Sequence, residues 1–251
     1  MKYFARALCL LMATILLSGC GSPSPEQSDA PQTTAAPSTE ATSAYPEPDK
    51  LIALTFDDGP NDHMDVMLDV LARYDAKASF FIIGRKVSGA DDCILRAYSE
   101  GHEIGNHSFS HEDMTEKTQE QILEEISKTQ KAVADITGQE PAWYRAPFLR
   151  ASDLTYDLID MPYAGCGISA EDGSNDNLPE DRIYRITSAA YDGAIALLHC
   201  NDITAEVLPQ ILEDLKMQGY EFVTISELFE RTGVTPDTTA KFQYKDPTTS
   251  E

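Results

Sequence analysis

The sequence predicts an α/β domain built on a parallel sheet with helical crossovers. Seven short apolar, β-rich runs alternate with helix-patterned stretches. The chemistry-bearing residues fall at or just past the C-terminal ends of those runs, where a β/α barrel builds its site. An open doubly wound sheet is the alternative from pattern alone, although no Gly-rich phosphate loop follows the first run.

In chain order, the first strand run covers 51–56; its residues Leu51 to Thr55 lead straight into two adjacent carboxylates, Asp57 and Asp58. Further runs follow at 78–83, 102–106, 143–146, 163–168, 194–199 and 220–224. Between them, Met64, Met67, Leu68 and Leu71 repeat at helical spacing. Ile122, Ile126, Val133 and Ile136 make a second stripe, and Val207, Ile211, Leu212 and Leu215 a third. These stripes read as core faces rather than cofactor boxes.

The two ends are different in kind. Residues 1–19 carry only Lys2 and Arg6 as charges, and 7–17 form an apolar run too short for a comfortable membrane span. The segment ends Leu17-Ser18-Gly19-Cys20, which resembles a bacterial lipoprotein signal, with cleavage before Cys20 and acyl chains on its sulfur. That implies an extracytoplasmic lipoprotein held at the cell membrane by its lipid alone. Residues 20–49 are rich in Ser, Thr, Ala and Pro, with six of the 14 prolines, and read as a disordered tether. Residues 50–233 are expected to form the domain, and 234–251 a polar, poorly ordered tail.

Nineteen basic residues face 42 acidic ones, a net charge of −23. This argues against nucleic acid and against an anionic lipid surface as partners. Beyond Cys9 and Cys20 the chain has Cys93, Cys166 and Cys200, an odd number without Cys-x-x-Cys spacing. That argues against a disulfide scaffold and a structural zinc site. Cys166 and Cys200 end neighbouring runs, and two free thiols are the default expectation.

Two of the five histidines, His107 and His111, stand at i and i+4. With one carboxylate of the Asp57-Asp58 pair they make a three-ligand set for a divalent ion with positions left open. The other carboxylate is left beside the ion, free to act as a base. Arg145-Ala146-Pro147-Phe148 and Leu197-Leu198-His199 follow in order.

These four segments resemble the polysaccharide deacetylase family, the NodB-type carbohydrate esterases of family four. Residues 101–107, Gly-His-Glu-Ile-Gly-Asn-His, and 222–228, Phe-Val-Thr-Ile-Ser-Glu-Leu, add to the likeness, which runs from about Leu51 to about Thr232. The resemblance implies a distorted (β/α) barrel with about seven parallel strands. It implies that Asp58, His107 and His111 hold one divalent ion, zinc first, with Co²⁺, Mn²⁺ or Ni²⁺ as alternatives. Asp57 matches the base, Arg145 the cation that holds it, and His199 the acid that protonates the leaving group. The amide N–H of Phe148 matches an oxyanion donor, and Leu197 the residue that packs on the acetyl methyl.

Two departures stand out. The family often has Tyr-Gly where this chain has Phe148-Leu149. Its Asp-x-x-Asp-Trp motif is here Ser169-Ala170-Glu171-Asp172-Gly173. Asp172 aligns with the acid's partner, with Glu171 as an alternative, and the groove-lining Trp is Gly173. The reading is a metal-dependent N-deacetylase of cell-wall or chitin-type glycans, acting as a monomer. Its partner is an acetylated glycan, peptidoglycan or a chitooligosaccharide. An O-acetyl xylan esterase, or a glycan-binding lipoprotein with decayed catalysis, are the competing readings.

Overall fold

The computed structural model describes residues 45–173 and 178–250. The leader, Cys20 and nearly all of the linker lie outside the described residues. No helix among the described residues is long and apolar enough to cross a membrane.

Strand β1 (Lys50–Gly59) is the axis of the sheet. Side chains alternate along a strand. Ile52, Leu54 and Phe56 therefore enter the core between sheet and helices, while Ala53, Thr55 and Asp57 face the barrel interior. Helix α1 (Asp62–Arg73) starts on Asn61, whose side chain accepts the His63 N–H, and buries Met64, Met67, Leu68 and Leu71. Then come β2 (Ala78–Ile82), α2 (Asp91–Ser99) and β3 (Glu103–Asn106). Helix α3 (Gln119–Thr137) opens on a capping box between Thr118 and Gln121 and stops at Gly138, whose φ of 76° only glycine adopts cheaply. Short α4 (Asp153–Leu158), β4 (Tyr163–Ala164) and β5 (Ile168–Ser169) lead to α5 (Pro179–Ala189) and β6 (Ala194–His199). Helix α6 (Asp202–Met217), β7 (Tyr220–Phe222), α7 (Ile225–Thr232) and β8 (Gln243–Tyr244) complete the chain.

The main sheet runs β3-β2-β1-β6-β5, all parallel, with β7 also on the start of β1. Single bridges from Asn106 to Tyr144 and from Tyr144 to Tyr163 carry the wall on to β4. The result is a distorted (β/α) barrel with a seam between β4 and β5. Strand β8 fills that seam. It pairs with β4, and Lys245 O accepts the N–H of Ile195 on β6 at 3.0 Å.

Three expectations need correcting. The run 143–146 is not a strand; only Tyr144 bridges. The run 163–168 is split into β4 and β5 at Gly165-Cys166-Gly167. A Cβ at Gly165 would lie 2.9 Å from Gln243 Cβ, and one at Gly167 would lie 2.6 Å from Lys245 O. These glycines mark where the tail presses on the wall. The tail itself is packed, not loose. Tyr244 is only 4% exposed, with its ring 5.8 Å from Trp143, 5.1 Å from Phe229 and 4.9 Å from Phe242. Two aromatic residues anchor a segment whose overall polarity hides them.

Candidate active site

Asp57 and Asp58 end β1, and the two histidines follow β3. His107 is reached directly from the strand. His111 sits one tight turn on, with Ser108 and His111 at φ 61° and 58° and Asp58 at 70°. Non-glycine residues in this region are strained, and such strain gathers where side chains must converge. Asp58 Oδ1 lies 3.2 Å from His111 Nε2 and 3.6 Å from His107 Nε2. The three ligand atoms fall within 4.8 Å of one another.

Asp58 Oδ1 is buried and has no hydrogen-bond partner among the described residues. A buried carboxylate oxygen left orphaned between two imidazoles fits a cation. His107 Nδ1 is 2.8 Å from the Arg145 carbonyl oxygen, to which it donates when Nε2 carries the lone pair; Nε2 then faces the cluster. Burial lowers the His107 pKa, and the nearby Asp57 and Asp58 only partly offset it, so the ring is held neutral as a ligand must be.

Asp57 is buried beside this cluster, with Oδ2 3.7 Å from His107 Nε2. Its Oδ1 accepts from Arg145 Nη1 at 2.8 Å. Burial pushes the Asp57 carboxyl up, but Arg145, then His107 and His199, outweigh it and hold the group below the ordinary value. Arg145 is fully buried and makes three further hydrogen bonds. It donates to Thr55 Oγ1 at 2.7 Å, Ala164 O at 3.2 Å and Gly165 O at 2.8 Å, and it stacks 4.2 Å from the Phe81 ring.

His199 closes the other flank. Its Nδ1 is 2.7 Å from Asp172 Oδ1. Asp172 Oδ2 takes the His199 N–H at 2.9 Å and the Thr204 hydroxyl at 2.6 Å. Burial works against the imidazolium, yet Asp172, with Asp57 and Asp58, raises the His199 pKa above its ordinary value. Glu171, at φ 52°, points elsewhere and pairs with Arg185 at 2.8 Å. Gly173 lies against the imidazole, where a Cβ would sit 3.3 Å from Cε1.

Leu197 is on the same face of β6 as His199, opposite Thr55. Phe148 is 62% exposed, its ring edge-on to His111 at 4.9 Å. The chain does without glycine here: Phe148 and Leu149 take φ 58° and 55° in succession. Next to them opens a cavity of ≈ 500 Å³ that His111 and Phe148 help to line. Another, of ≈ 550 Å³, lies at the far end of the barrel beside His102 and Glu103 and holds none of these groups.

Sequence reasoning missed Thr55, Arg182 and Thr204. Thr55 was legible, since it shares a strand face with Asp57. Arg182, fully buried with Nη1 3.9 Å from Asp172 Oδ2, gave no local signal. His102 is structural: it is buried, and its Nδ1 accepts the Ala78 N–H at 3.2 Å. The three cysteines among the described residues are free.

Comparison with known proteins agrees with this geometry. The family model for polysaccharide deacetylase matches residues 44–164. The bifunctional xylanase/deacetylase of Pseudobutyrivibrio xylanivorans is 41% identical over 192 residues, 75% of this chain and 32% of that protein. The peptidoglycan-N-acetylglucosamine deacetylase PgdA of Listeria monocytogenes is 38% identical over 182 residues, 72% of this chain and 39% of that protein. The chain thus spans well under half the length of either. A family 4 acetyl xylan esterase from Clostridium thermocellum, solved with a cobalt ion, superposes with a TM-score of 0.76 at 36% identity. That match covers 78% of this chain and 98% of the esterase. From its motifs, its barrel and these relatives, the chain belongs to the polysaccharide deacetylase family.

Proposed function

We propose that this chain is a metal-dependent deacetylase that hydrolyses N-acetyl groups of a cell-wall glycan, peptidoglycan N-acetylglucosamine first, and releases acetate. The observation that carries the reading is the orphaned Asp58 oxygen between His107 and His111, flanked by an ionised Asp57 and by a His199 whose pKa Asp172 raises. Asp58, His107 and His111 would hold a divalent ion, which when bound would supply Lewis-acid polarisation of a carbonyl and lower the pKa of water.

The remaining chemistry belongs to the chain. Asp57 takes a proton from the attacking water as its oxygen bonds to the acetyl carbon. Arg145 keeps that carboxylate ionised and aimed. The Phe148 N–H is assigned to the oxygen that gains charge, and Leu197 to the acetyl methyl. His199 gives its proton to the sugar nitrogen as the C–N bond breaks, leaving acetate and a free amine. Asp172 holds the His199 ring and favours its charged form.

Similarity to a peptidoglycan deacetylase supports the amide substrate. So does the leader ending in Cys20, which we propose is lipidated, so that the domain works on the outer side of the membrane within reach of the wall. The second reading, an O-acetyl esterase on xylan, is favoured by the xylanase/deacetylase relative and the acetyl xylan esterase neighbour. Acetate release from peptidoglycan, N-acetyl chitooligosaccharides and acetylated xylan, with and without chelator, separates them. Chelator-sensitive release from peptidoglycan is expected. Release from xylan alone favours the second reading, and release from none refutes both.

A further inference from the structure

We propose that the C-terminal segment 243–245 is a positioning element of the active site, holding Arg145 and the Phe148–Leu149 loop through two separate contacts. Its kinetic consequences rest on the deacetylase reading; its structural ones do not.

The first contact runs through one peptide unit. The Gly165 N–H donates to Tyr244 O at 2.7 Å. On the other side of the same peptide, the Ala164 carbonyl accepts from Arg145 Nε at 3.2 Å. A trans peptide aims its N–H and C=O in opposite directions. One rigid group therefore spans from the tail to the guanidinium, and the next carbonyl, Gly165 O, takes Arg145 Nη2. Arg145 in turn holds Asp57. Strand β4 has only two residues, and β8 supplies its partner on the seam side.

The second contact is a side chain. Gln243 Nε2 donates to Leu149 O at 2.9 Å. Phe148 and Leu149 both occupy the left-handed region, where the Cβ of an L side chain crowds the following carbonyl oxygen. Such a conformation persists only when its surroundings over-determine it. Gln243 reaches the loop from the register position opposite Tyr163 on β4.

The segment is itself well anchored. Tyr244 is buried against Trp143 and Phe229, Lys245 O is tied to β6, and the Tyr191 hydroxyl donates to Asp246 Oδ2 at 3.0 Å. Neither Gln243 nor Tyr244 touches the ligand cluster, so both act through other residues.

The test compares the full chain, Gln243→Ala, a chain ending at Phe242, and Lys241→Ala as a control elsewhere on the tail. Steady-state acetate release, zinc content, melting temperature and hydrogen–deuterium exchange over 145–150 and 163–167 are measured. Gln243→Ala is expected to lower kcat about ten-fold with KM changed less than about two-fold, since small misplacements near reacting groups cost rate rather than binding. Exchange over 147–150 should quicken, with zinc content and melting temperature held. The chain ending at Phe242 should also exchange faster over 163–167, and Lys241→Ala should match the full chain. Unchanged kcat and exchange in Gln243→Ala would overturn the proposal; so would a kcat loss that only tracks the unfolded fraction. If the full chain releases no acetate, the deacetylase reading fails and the exchange data alone decide. If the shortened chain does not fold, Gln243→Ala decides.

Discussion

Asp57 and His199 are register partners on adjacent parallel strands, β1 and β6. Neighbouring strands lie about 4.8 Å apart, so the barrel wall itself sets a carboxylate and an imidazole side by side. The same ladder puts Thr55 opposite Leu197, two residues earlier on both strands. The groups proposed as base and acid are thus spaced by backbone hydrogen bonds, with Asp58 next to Asp57 on β1 and the two histidines reaching in from the end of β3.

Asp57→Asn should keep the metal and lose the reaction. The amide cannot take a proton, and removing a positioned base costs ~10²–10⁴-fold in rate. Zinc content and kcat on one preparation check this. Loss of metal together with rate would make Asp57 the ligand and exchange its assignment with Asp58.

Asp172→Asn should move the basic limb of the pH–rate profile to lower pH. Asp172 raises the His199 pKa, so without it the acid gives up its proton sooner. Glu171→Gln should leave the limb in place, because Glu171 is spent on Arg185. A shift in the Glu171 variant alone would name the wrong carboxylate here.

His107→Ala should abolish tight zinc binding in calorimetry, whereas His102→Ala should keep it. His102 instead supports the fold: losing it leaves the Ala78 N–H without its acceptor, a cost of ~1–3 kcal/mol. Burial also lowers the His102 pKa to about 4. The unfolded chain then binds the proton first, so His102 contributes stability above its ordinary pKa that is lost as pH falls toward about 4. Denaturant unfolding of the chelated protein should show that slope, and His102→Ala should flatten it.

Thiol titration should count three free thiols beyond Cys20 once the protein is unfolded without reductant. In the native state Cys93 and Cys200 should react slowly. Burial pushes the Cys93 thiol up to about 11 and the Cys200 thiol well above its ordinary value. Fewer than three thiols after unfolding would mean a bridge.

The elements with strong local pattern were legible. The strands at 51–56, 78–83 and 194–199 are continuous apolar runs because their faces are buried on both sides, and the helix stripes follow core faces. The site's residue types were legible too, because motif residues cluster at strand ends and residue type is a property of the chain alone. Other features came only with closure of the barrel. Which of two adjacent acids serves His199 was decided by the backbone at Glu171, whose φ of 52° sends its side chain to Arg185 while Asp172 turns inward. The break at Gly165 and the seat of Gln243–Tyr244 depend on a strand arriving from the far end of the chain. Period and composition are local quantities; a contact across that separation exists only once the intervening strands have paired, and no window of the sequence holds both of its sides.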